Sequence, residues 1–182
     1  MMETSATGMK RLLWIGFLTA ATLLATGVFA CAIPFAALAA LAALDTEHND
    51  GVWLVGAVWF ANQVYGFTVL GYPMEMQAFG WGLFMGIGAI AAYYAARGAV
   101  SIAKPFGLFA MLLASLPIAF LAYEAALFVG TLALPRGEGA FNYDVVLYVS
   151  VVEVAAFAAL LIAHRLAVAT GLVDRNAIER AA

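Results

Sequence analysis

Residues 10–44 read KRLLWIGFLTAATLLATGVFACAIPFAALAALAAL, 35 residues that carry no charge after Lys10 and Arg11. As a single helix this stretch would run about 52 Å, at 1.5 Å per residue, whereas the hydrocarbon core of a bilayer is about 30 Å thick. Either one helix projects far beyond the membrane or the chain folds back near Gly27–Pro34. Gly27 permits a turn and Pro34 breaks a helix interior. A cleaved signal peptide is a poorer reading. Val28-Phe29-Ala30-Cys31 hints at a lipoprotein cleavage site, but the apolar run continues to Leu44 instead of giving way to a polar mature chain.

Outward from this stretch, the rest of the chain repeats the same composition. Of 182 residues, 66% are hydrophobic and 10% charged, with mean hydropathy +0.99. Soluble domains carry roughly 25% charged residues, so the expected class is an all-α, polytopic membrane bundle. Further apolar segments occupy Val52–Gly71, Ala78–Ala96, Phe106–Leu134 and Tyr143–Val168.

The basic residues choose between five spans and six. They cluster at Lys10/Arg11, at Arg97/Lys104 and at Arg165/Arg175/Arg180. Loops rich in Lys and Arg stay in the cytoplasm. Keeping the first two clusters on one side requires an even number of crossings before Arg97, so residues 10–44 become two short spans, about 10–28 and 30–44. The expectation is six spans in one integral membrane domain over residues 1–182, both termini cytoplasmic, in the cell membrane of a bacterium. Arg136 is then the one basic residue outside. The acidic turn Asp45–Asp50 falls inside, and Arg97–Lys104 is a cytoplasmic turn.

Composition also excludes functions. The net charge of −3 is scattered with no basic run, which argues against nucleic acid. One cysteine, Cys31, rules out an internal disulfide and a cysteine-based zinc cage. No Walker-type loop, His-Glu-x-x-His or Gly-x-Ser-x-Gly occurs, so no enzyme, catalytic residue or metal site is expected, and no cofactor is specified.

The candidate site starts from Trp59-Phe60-Ala61-Asn62-Gln63-Val64-Tyr65-Gly66-Phe67. Two adjacent amides inside hydrocarbon must find protein, water or a ligand, since an unpaired amide there costs on the order of 4–8 kcal/mol. Interhelical glue is the plain alternative. Glu124 and Glu153 lie at a similar distance from the outer ends of their spans, about 14–15 Å. No Lys or Arg lies at that depth, so each carboxyl is expected to be protonated, hydrogen-bonded by amides or ion-bound. Asn62, Gln63, Glu124 and Glu153 are therefore expected to line one cavity open to the outside, with Trp59 and Tyr65 as aromatic walls. Glu75, in the outer turn Tyr72–Met76, and Cys31, at the turn between the first two spans, are expected to help cover it. His164, beside Arg165, reads as an interfacial anchor. Gly82-x-x-x-Gly86 and Gly88-x-x-x-Ala92 read as close-packing helix faces.

Six short spans, no nucleotide site, a small-residue face at Ala21-x-x-x-Ala25 and three outer loops over one cavity resemble the substrate-binding S-components of energy-coupling-factor vitamin transporters. The resemblance covers the whole chain through size and architecture, and no binding residue is carried over from that family. It implies capture of a vitamin-like small molecule from outside, in partnership with a transmembrane coupling subunit and ATPases, although solitary members exist. Two other classes stay open. One is an accessory subunit of a larger membrane complex; the other is an intramembrane enzyme or a quinone- or haem-associated protein.

Overall fold

A computed structural model describes Met9 and residues 12–22, 33–45, 48–135 and 139–171. The described residues form an all-helical bundle: α1 Leu12–Thr22, α2 Phe35–Asp45, α3 His48–Thr68, α4 Met76–Ala103, α5 Leu108–Ala133 and α6 Tyr143–Ala169. A short 3-10 turn, Lys104–Phe106, joins α4 to α5. Gly107 leaves it at φ 86°, a left-handed conformation that a side chain would disfavour.

The centre of the bundle is α2. Its alanines and leucines are strong helix formers, and Pro34 stands just before it, where the missing N–H costs no helical bond. Every residue from Phe35 to Leu44 is buried. A helix apolar all round has to be enclosed, and the short alanine side chains let neighbours approach on every side. An arc of α3, α4, α5 and α6 does so, each helix packing on α2 and each on the next in order.

In this arc α3 and α4 are antiparallel, because Gln63 lies against Gly82 and Trp59 against Gly86. The two glycines therefore receive side chains of α3. A Cβ on Gly86 would come within 2.6 Å of the Trp59 ring, so the small-residue face serves a ring-to-backbone contact, anchored by the Trp59 indole donating to the Gly82 carbonyl at 2.8 Å. Gly88 faces α5 instead, towards Tyr123.

Three helical stretches, Met76–Phe106, Leu108–Ala133 and Tyr143–Ala169, are long and apolar enough to cross a membrane. The outside of the bundle agrees with this. Large apolar side chains stand fully out from it, among them Trp53 at 73% and Ile102 at 76% exposure. Water-soluble monomers rarely present apolar surface on that scale. These features mark a membrane protein.

Several boundaries differ from the sequence reading. With 11 residues, α2 rises only about 16 Å, roughly half the hydrocarbon thickness, so the helix described within the stretch read as the second short span, about 30–44, is of half length. Asp45 closes α2, while His48 and Asp50 open α3, which leaves little of the acidic turn as a loop. Arg97 lies within α4, which continues to Ala103, because no proline interrupts the helix before Pro105. The turn is confined to Lys104–Gly107. Cys31 and Arg136, and with them the Gly27–Cys31 turn, lie outside the described residues.

Candidate functional site at the ends of the central helix

Pro34 accepts the first helical hydrogen bond of α2, from the Leu38 N–H at 3.1 Å, but has no side-chain acceptor for the free N–H groups that follow. Those groups are satisfied from another helix. Glu153 of α6 places Oε1 3.2 Å from the Ala36 N–H and Oε2 2.6 Å from the Ala37 N–H. These are the two N–H groups that a local capping side chain usually serves. The carboxylate also lies at the positive end of the helix dipole. It is 1% exposed and ten residues into α6 from Tyr143, or about 15 Å along it. A carboxyl is thus held deep in the bundle by backbone donors.

At its other end α2 meets α6 again. Asp45 Oδ1 lies 2.7 Å from His164 Nε2. The imidazole is 4% exposed and stands edge-on to Trp14 of α1, with ring centroids 5.7 Å apart. Glu153 precedes His164 just as Ala36 and Ala37 precede Asp45, so α2 and α6 run parallel and are fastened at both ends by polar side chains. His164 is therefore a buried partner of the central helix, in contrast to the interfacial anchor expected from its neighbour Arg165. One signal was legible: Glu153 and His164 are eleven residues apart, close to three helical turns, and so share a face of α6.

The other expected site residues are distributed by helical geometry. Successive residues on a helix point about 100° apart, which separates the amide pair. Asn62 turns into the bundle and is 1% exposed, whereas Gln63 turns to the seam with α4. Trp59, one turn earlier, shares that seam. Tyr65 is half-buried further along α3, and Glu75 is exposed at the start of α4. On α5, Tyr123 is buried and rests on Phe35, with ring centroids 6.0 Å apart; its neighbour Glu124 is half-buried. The structure brings Trp59 and Gln63 together and seats Glu153 on α2. Asn62 and Gln63 stand on α3, at the opposite end of the arc from Glu153 on α6, with α2 packed against both helices. Cys31 lies outside the described residues.

Compared with protein-family models, curated proteins and solved structures, the chain matches none.

Proposed function

We propose that this is a small integral membrane transport protein that takes a vitamin-like small molecule from outside, with the N-terminus of α2 and Glu153 as its polar centre. One observation carries the reading: a half-length helix ends deep in an apolar bundle with a carboxylate seated on its first free N–H groups. Discontinuous helices whose N-termini meet anionic groups near the midplane are a recurrent device of transporters. Ionisable side chains at such depth are expensive to keep and commonly serve function. In this reading the Glu153 carboxylate holds the site closed, and its departure from Ala36 and Ala37 frees two donors for an acceptor on the substrate. A transmembrane coupling subunit and ATPases are the partners that the architectural resemblance suggests.

Mass spectrometry of the protein purified in mild detergent tests this directly. One polar small molecule should co-purify with the parent and be enriched in Glu153→Gln, which keeps the side-chain shape but caps Ala36 and Ala37 less firmly and so competes less with the substrate. Stoichiometric partner proteins with no small molecule would overturn the transport reading in favour of an accessory role.

The proposed topology has six membrane helices with both termini cytoplasmic, in keeping with the parallel run of α2 and α6. With Cys31 replaced, Ser5→Cys, Ser101→Cys and Asn176→Cys should each resist membrane-impermeant thiol reagents in intact cells. Labelling of Ser101→Cys with protection of Ser5→Cys would instead give an odd number of crossings between them.

A further inference from the structure

The seat of Glu153 holds an acid and no base. Among the described residues, α2 carries no ionisable side chain from Phe35 to Leu44, and α1 carries none from Leu12 to Thr22. On α5, which packs against both α2 and α6, the ionisable side chains are Tyr123, resting on Phe35, and half-buried Glu124. From Val145 to Ala163 on α6, the other ionisable group is Tyr148, which is exposed. The first cationic candidates on that helix are His164 and Arg165, about 16 Å further along it. The negative charge of Glu153 is therefore balanced by the Ala36 and Ala37 N–H groups and by the helix dipole behind them.

This balance holds only while the carboxylate stays seated. If an acceptor on a substrate takes the two N–H groups, Glu153 loses its donors in a place where it is 1% exposed. An ionised carboxylate without donors is strongly disfavoured there, and such a group neutralises instead. A proton on Glu153 and a substrate on Ala36 and Ala37 thus favour one another, and the preference is reciprocal. Protonation alone acts in the same direction. A carboxylic acid keeps one good acceptor oxygen and gains an O–H donor, which is set against the donors at the start of α2.

Charge narrows the class of substrate. Helix N-termini favour anionic groups, and the chain's own occupant of this one is a carboxylate. An anion that enters with one proton leaves the charge of the core unchanged, since the displaced glutamate becomes neutral. Beside the seat, a cavity of about 500 Å³ between α1 and α6 is lined by Pro34 and by Ala156, one turn from Glu153. That volume lies within the roughly 300–1,000 Å³ of small-molecule sites. We propose that Glu153 is the proton carrier of the transport cycle, taking up one proton each time the anionic group of an organic acid occupies its seat on Ala36 and Ala37. The proton binds a carboxylate oxygen, no electron is transferred, and anion and proton enter together. This inference rests on the transport reading of the same site and adds to it the substrate class and the coupling ion.

The test follows the proton itself, on the full chain in lipid nanodiscs. Acidification from about pH 9 to about pH 5, a range that covers buried carboxyl groups, should produce a carboxylic-acid C=O band in the infrared that Glu153→Gln lacks. Over the same range, amide exchange at Ala36 and Ala37, corrected for the intrinsic effect of pH, should quicken about tenfold, as for the loss of one hydrogen bond. Glu153→Gln mimics the protonated group and should exchange fast at both ends of the range, whereas Glu124→Gln should respond as the parent does. Circular dichroism confirms that both variants fold. A missing band, exchange in the parent that ignores pH, or loss of the response in Glu124→Gln would each overturn the proposal. The molecule that co-purifies separates this inference from the reading beneath it. An organic acid supports both, a molecule without an acidic group overturns the coupling and leaves transport standing, and partner proteins without a small molecule overturn both.

Discussion

Glu153→Leu is expected to destabilise the protein by about 2–4 kcal/mol, the largest effect of any single substitution at the central helix. The loss has a definite source. Leucine fills the volume but leaves the Ala36 and Ala37 N–H groups without acceptors, in a core where each unsatisfied donor costs about 1–3 kcal/mol. Relief from burying a carboxyl offsets part of this, since charged groups are costly to desolvate. Glu153→Gln should lose less, about 1 kcal/mol, because one oxygen remains as an acceptor. Unfolding followed by circular dichroism in mixed detergent micelles would measure both. A Glu153→Leu protein within about 0.5 kcal/mol of the parent, the usual scale of neutral surface changes, would mean that the cap contributes nothing to seating α2.

The second large effect is expected at the other end of the same helix. His164→Leu leaves Asp45 almost enclosed without its 2.7 Å partner, at a cost of about 2–3 kcal/mol. Replacing both members should be milder than the sum of the single changes, because an apolar pair leaves no polar group stranded. Asp45→Leu, His164→Leu and the double variant therefore form a cycle with an expected coupling of about 1–2 kcal/mol. Strict additivity would show that the two side chains do not act as a pair. Because α2 and α6 are joined at both ends, the Glu153 and His164 variants should each loosen α6 from the core, visible as faster amide exchange along Tyr143–Ala169.

Much of the bundle can be read from composition and spacing. Scarce charge and long apolar runs dictate membrane-spanning helices, since backbone groups in hydrocarbon must be satisfied within the segment. The 35-residue run at 10–44 is too long for one crossing, and Pro34 marks where a new helix begins. Intramembrane Glu153 and the amides of Asn62 and Gln63 stand out on chemistry alone, as residues that must find partners. What those partners are is not a property of local sequence. The acceptor for Ala36 and Ala37 comes from 117 and 116 residues away, and the partner of His164 from 119 residues away. Depth along a span, which sequence does indicate, says nothing about azimuth around the helix until its neighbours are placed. For that reason Asn62 and Gln63, adjacent in the chain, end in different environments, and Glu153 reaches the central helix while Asn62 and Gln63 stand at the far end of the arc. Apolarity and the all-helical class follow from the sequence by itself. The half-length of α2, its enclosure and the polar fastening at its two ends were decided by tertiary packing, because only the assembled helices determine which backbone donors are left free and which side chains can reach them.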